Sequence, residues 1–180
     1  MPPLPDRIDP RPQAPAACSV AGASGYGDSA TTNRVMKLLV PLDGSLASER
    51  ALEHALSLAV GSSGALLILL NVQTPDALGL SDIRARSEDD RVLASRRSEE
   101  VLRKPVEVCG KHHVGCEKRA EYGEAVVETI VRVARETGAD QIVMGARGLG
   151  RLRGLMLGSV TTQVVHLATV PVTIVKVSSS

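Results

Sequence analysis

The feature that most constrains this chain is an alternation. Short, almost unbroken apolar runs take turns with longer stretches whose apolar residues recur at helical spacing. The short runs are Val35–Leu42 (VMKLLVPL), Ala65–Val72 (ALLILLNV), Gln141–Met144 (QIVM) and Val172–Val177 (VTIVKV), with a more polar candidate at Cys116–Glu121 (CEKRAE). A strand that is apolar on both faces must be covered on both faces, which is the situation of a strand inside a parallel sheet. Between the runs, Leu46–Val60 places Ala51, Leu52, Ala55 and Ala59 on one helical face, and Ser45 stands where a cap belongs. Asp89–His113 spaces Leu102, Val106 and Cys109 the same way, with Pro105 expected to bend the helix or mark an irregular turn. Glu124–Thr137 turns Val127, Ile130, Val131 and Ala134 inward and meets Gly138 as its stop. Ser159–Thr169 aligns Val160, Val164, Leu167 and Ala168, and residues 73–88 are a polar connection. Strand–helix alternation of this kind predicts an α/β domain, a parallel sheet wrapped by helices.

Such sheets bind ligands beyond the C-terminal ends of their strands, where the strand order switches direction. Two segments fall there. One is Pro41-Leu42-Asp43-Gly44-Ser45, after the first strand. The other is Gly145–Gly158 (GARGLGRLRGLMLG), in which five of fourteen residues are glycine and three are arginine. Glycines let a ligand approach backbone amides closely, and the helix N-terminus that follows, Gly158-Ser159-Val160-Thr161, offers unpaired N–H groups and a positive dipole end. Together these parts describe an anion site, most naturally for a phosphate chain. There is no G-x-x-x-x-G-K-[ST], which excludes a P-loop. Gly148, Gly150 and Gly154 carry one residue too many for a dinucleotide fingerprint, and they lie in the last third of the chain.

What the spacing Gly145-x2-Gly148-x9-Gly158-Ser159 does resemble is the ATP-binding motif of the universal stress protein family. Four further segments are similar to that family in the right order: Met36–Ser45 (MKLLVPLDGS), Leu69–Val72 (LLNV), Gly138–Gly145 (GADQIVMG) and Pro171–Val177. The resemblance implies a single-domain three-layer sandwich, Rossmann-like or adenine nucleotide alpha hydrolase-like, with a five-stranded parallel sheet of order 3-2-1-4-5. It implies that Gly145, Gly148, Gly158 and Ser159 line phosphates and ribose, that Val160 and Thr161 add amide or hydroxyl contacts, and that Met144 lies under the nucleotide. Pro41, Asp43 and Val72 would surround adenine and ribose, Val72 through its backbone. Ala146 stands where members often carry Ser. ATP, or ADP or AMP, with Mg²⁺ is the implied ligand, and a homodimer through the last strand, residues 172–177, is the implied assembly. An unpaired edge strand would physically invite such pairing. Nucleotide would order the loop from Gly145 to Leu157, and an unidentified protein partner would read the ordered surface. No Lys is placed to clamp a γ-phosphate and no general base faces it, so at most slow hydrolysis is expected.

Each signal also has a plainer reading. The glycine loop can be structural, with the protein a nucleotide-free dimeric scaffold. Arg147, Arg151 and Arg153 either neutralise phosphates or solvate an exposed loop. Asp43 either helps cap a helix or serves a ligand or Mg²⁺-bound water. Cys109, His112, His113 and Cys116 form a dense cluster that suggests packing, a thiol pair or a metal-sensing site, although four ligands in eight residues across a helix end would be strained around a tetrahedral metal. His166 suits a helix C-terminus.

Composition removes other classes. Net charge is +1, there is no Trp or Phe, and there are two Tyr, which gives no pull toward nucleic acid and no platform for stacking bases. No apolar run approaches the roughly 18 residues of a membrane-spanning helix. Three cysteines make no disulfide framework, and the N-terminus shows no export signal, so a cytoplasmic protein with free thiols is expected. Residues 1–34, rich in Pro, Ala, Gly and Ser, are expected to be disordered, with residues 35–180 as the domain. Met36 opens the first strand, so translation beginning there is a further expectation, which the intact mass of the native protein tests.

Overall fold

In order along the chain come β1 (Met36–Pro41), α1 (Leu46–Val60), β2 (Ala65–Gln73), a 3-10 turn (Asp76–Leu78), α2 (Glu88–Lys111), β3 (Gly115–Tyr122), α3 (Val126–Thr137), β4 (Gln141–Gly145), α4 (Ser159–Leu167) and β5 (Val172–Val175). This is a computed structural model that describes residues 34–61, 64–79, 88–123, 125–147 and 157–177. The expectation of a disordered tail and the residues Gly148, Arg151 and Arg153 lie outside the described residues, apart from Arg34. The guanidinium of Arg34 donates to Asp140 at 2.5 Å, and the other Asp140 oxygen accepts the Lys37 N–H at 2.9 Å. Arg34 therefore belongs with the domain that follows it.

All strand pairs are parallel, in the order β3-β2-β1-β4-β5. The register runs Met36↔Ala65 to Pro41↔Leu70 between β1 and β2, and Ile142↔Val172 to Gly145↔Val175 between β4 and β5. Period-two geometry sorts each strand's residues to opposite faces. Leu38, Val40, Leu67, Leu69 and Val143 meet Ala51, Leu52, Ala55 and Leu56 of α1 and Leu102 and Cys109 of α2 in one core. Leu39, Ile68, Leu70, Ile142 and Met144 meet Val127, Ile130 and Val133 of α3 and Val164 of α4 in the other. With no large aromatic side chains, both layers are close-packed aliphatic.

Four details differ from the sequence reading. Pro105 marks no irregular turn but sits inside one continuous helix. It has no N–H to give Val101, but Ala94, Ser98, Leu102 and Cys109 are all buried, and that packing carries the helix through. α4 ends at Leu167, which is 50% exposed, and Ala168 is its extended C-cap. Only Thr161 and Val164 of this short helix are fully buried, and Val165, His166 and Leu167 after them are exposed. β3 is longer than expected, and it can carry Glu117, Lys118, Arg119 and Glu121 because it lies at the sheet edge. β5 stops at Val175, leaving Lys176 and Val177 exposed beyond it.

Candidate functional site

β1 and β4 are neighbours, yet from β1 the chain proceeds to β2 on one side and from β4 to β5 on the other. The C-terminal ends of this pair are the switch point of the sheet. On the β1 side, Leu42 N–H still donates to Leu70 O at 2.7 Å. The chain then turns sharply. Asp43 Oδ1 accepts the Ser45 N–H at 3.0 Å, and Gly44 adopts φ +81°, a conformation that glycine takes without steric cost. Ser45 caps α1 by accepting the Ser48 N–H at 3.2 Å. The turn thus orients a half-buried carboxylate at the mouth of the crevice, with one of its oxygens engaged by the backbone.

The β4 side is defined by two glycines with different reasons to be glycine. Gly145 ends β4 and is buried. A Cβ there would lie 2.7 Å from the Ala47 carbonyl carbon and 2.8 Å from its Cβ, so the first turn of α1 is seated directly on the strand end. Gly158 is the N-cap of α4, with an ordinary φ of −63°. Among the described residues a Cβ there would meet nothing closer than 3.4 Å, so their packing does not demand glycine at this position. Gly158 N–H donates to Ala146 O at 2.8 Å, and the Thr161 hydroxyl donates to Gly145 O at 3.0 Å. These two bonds tie the start of α4 to the same strand end. Among the described residues no side chain caps α4, so the first-turn amides of Ser159, Val160 and Thr161 have no side-chain acceptor from them. Two helix N-termini therefore converge on the end of β4, and one of them has no side-chain cap among the described residues.

The remaining candidate residues take definite places. Val72 lies beyond Leu70, the last β2 residue that β1 pairs. Because Leu70 O faces β1, the alternation of a strand turns the Val72 N–H and C=O toward that same edge, past the end of β1. Pro41 is the last residue of β1. Ser159 is exposed, whereas Val160 packs into the α3–α4 core and turns only its backbone outward. Thr161 is 2% exposed with its hydroxyl proton used inward, which leaves its amide rather than its hydroxyl for an incoming anion. Met144 is a core residue, 5% exposed, forming the floor behind Gly145. Arg147 is half-buried, two residues past the end of β4.

Three residues that the sequence reading gave no role support this geometry. Asn71 Nδ2 donates to Leu42 O at 2.6 Å, while Asn71 Oδ1 accepts from Ser98 Oγ at 2.8 Å and from Gln73 Nε2 at 2.7 Å. All three side chains are buried. This network pins the turn before Asp43 to β2 and α2. The signal was one Asn at the end of an otherwise apolar run, since a buried amide in a strand must find partners.

The Cys–His cluster does not converge on a metal. Cys109 is in the core, His112 and His113 are exposed, and among the described residues no group of three His, Cys, Asp or Glu side chains is placed to hold an ion. Nor, among the described residues, is any helix long and apolar enough to cross a membrane.

A doubly wound sheet with a helix N-terminus at its switch point defines a class of α/β proteins suited to phosphate-bearing ligands. Within that class the chain belongs to the universal stress protein family, whose model matches residues 35–176. It is 34% identical over 146 residues to universal stress protein YxiE of Bacillus subtilis, covering 78% of this chain and 98% of that one. Among solved structures, a universal stress protein in complex with cAMP is 27% identical with a TM-score of 0.57, covering 80% of this chain and 98% of that one. A family member from Arabidopsis thaliana with AMP bound is 25% identical with a TM-score of 0.56, covering 80% and 93%.

Proposed function

We propose that this chain is an adenine-nucleotide-binding universal stress protein, a cytoplasmic homodimer whose regulatory output depends on nucleotide occupancy. The observation that carries this reading is the start of α4: a helix N-terminus with no side-chain cap among the described residues, held against the end of β4, beginning at a glycine that their packing does not require. A ligand's approach is a sufficient reason for that glycine. The residues fit the ligand in kind. The amides of Ser159, Val160 and Thr161 and the exposed Ser159 hydroxyl would receive phosphate oxygens. The outward-facing backbone of Val72 would hydrogen-bond adenine, and Asp43 would face the ribose. The two relatives solved with AMP and cAMP support this adenine class.

ATP with Mg²⁺ fits more narrowly. Among the described residues no carboxylate cluster holds a cation, so Mg²⁺ would be carried by the phosphates, with Asp43 reaching it at most through water. Hydrolysis has no evident machinery in the described residues, so the protein would act by being occupied, a ligand shifting whichever conformation binds it better.

Calorimetric titration of the purified full-length protein with AMP, ADP, ATP-Mg²⁺ and cAMP tests the reading. Binding of at least one nucleotide is expected, weakened about tenfold or more in Gly158→Val, equivalent to ~1.4 kcal/mol, with the thermal midpoint of the variant measured alongside. If none of the four binds at millimolar concentration, the nucleotide reading fails and a nucleotide-free dimeric scaffold replaces it.

A further inference from the structure

At the far end of the sheet from the crevice, two cysteines share one pocket of the core. Cys109 is on the last turn of α2 and is 0% exposed. Cys116 is the second residue of β3, is half-buried, and packs against the same α1–α2 core. The helix is turned back onto the strand by a short closure, in which Val114 N–H donates to Cys109 O at 3.0 Å and His113 takes φ +55°. This closure brings both side chains against the same α1–α2 core, Cys109 inside it and Cys116 at its margin.

We infer that Cys109 and Cys116 are a redox couple, in which half-buried Cys116 attacks a low-molecular-weight disulfide and buried Cys109 resolves the product into an intramolecular disulfide bond. The division of labour follows from access, because an external disulfide reaches Cys116 and not Cys109. In the first step the Cys116 thiolate attacks one sulfur of the small disulfide, the S–S bond breaks, and one small thiolate leaves. In the second, Cys109 sulfur attacks Cys116 Sγ and the second small thiolate leaves, taking up the proton that the Cys109 thiol gives up. Two protein thiols are oxidised, and one small disulfide is reduced to two thiols. The ionisation of the pair runs the same way. The hydrogen bond from Cys109, helped by nearby Lys118, brings Cys116 down to about 7 despite its burial. The same hydrogen bond, together with desolvation, pushes Cys109 up and keeps it protonated until it is needed.

The test uses the full chain with Cys18→Ser, so that only the pair remains. It is incubated with oxidised glutathione at neutral pH, digested with trypsin and analysed by mass. Lys111 lies between the two cysteines, so cleavage there turns an internal bond into a cross-linked peptide pair. The expected product is the Cys109–Cys116 cross-link, two hydrogens lighter than the separate peptides and reversed by dithiothreitol. In Cys109→Ser, glutathione should stay trapped on Cys116. In Cys116→Ser, Cys109 should remain unmodified while the protein is folded. A stable glutathione adduct on Cys116 without cross-link, a cross-link between two chains, or modification of Cys109 first would each overturn the proposal.

Discussion

At the scale of single residues, Gly145 and Gly158 look interchangeable in a motif and differ physically. Gly145 is glycine because α1 sits on it. Adding a methyl drives Cβ to within 2.8 Å of Ala47 backbone atoms, which belong to a helix and have no flexible end to swing aside. Gly145→Ala is therefore expected to lose roughly 1–3 kcal/mol of stability, in the range of core overpacking. Gly158→Ala should cost under about 1 kcal/mol, the scale of an N-cap change. Urea denaturation of both variants separates the two cases. An unchanged midpoint for Gly145→Ala would remove the account of how α1 is placed at the crevice. The motif could not reveal this difference, because spacing records that glycine is present and not what would collide with a side chain.

Between elements, the Asn71 network is the joint that the candidate site depends on. β2, α2 and the turn after β1 meet in four hydrogen-bonding groups, from Asn71, Gln73, Ser98 and the Leu42 carbonyl, all held by one amide side chain. Asn71→Leu conserves size but leaves those partners unsatisfied. It is expected to lower stability by roughly 1–3 kcal/mol and, by freeing the turn before Asp43, to weaken nucleotide binding more than a distant variant of equal stability. A calorimetric affinity equal to wild type in a destabilised Asn71→Leu would show that the turn is held by other means. How well each element could be read followed from how local its causes are. α1 was legible to the residue because Ser45 and the Ala51–Ala59 stripe act within a few turns. The end of α4 was not, because whether Leu167 is covered depends on how far the core extends beneath it. β3 was the weakest strand in sequence because an edge strand need not be apolar on both faces. Which way the Cys–His cluster points was not legible, because proximity in sequence says nothing about direction. Two of its members face the core and two face solvent.

For the molecule as a whole, the two edges of the sheet are chemically unlike, and that bears on assembly. The β3 edge carries Glu117, Lys118, Arg119 and Glu121, with Lys118 paired to Glu99 at 2.6 Å and Arg132 paired to Glu121 at 2.8 Å. Charged edges of this kind resist pairing with another chain. The β5 edge is Val-Thr-Ile-Val, with no charge along it. Pro171 O and Val175 O accept from the N–H groups of Ile142 in β4 and of Ala146 just after it, so the alternate residues Val172 and Ile174 direct their N–H and C=O toward the outer edge. A homodimer through β5 would use those two residues. Ile174→Pro removes one outward donor and leaves the bonds to β4 in place, a substitution that an edge strand tolerates. Light scattering at micromolar concentration should give a dimeric mass for wild type and a monomeric mass for Ile174→Pro, with the circular dichroism spectrum unchanged. A dimer that survives the substitution would move the interface away from β5. A monomeric wild type would leave both edges without a partner and remove the homodimer from the proposed function, while nucleotide binding, which draws on β1, β2, β4 and α4 of one chain, would be unaffected.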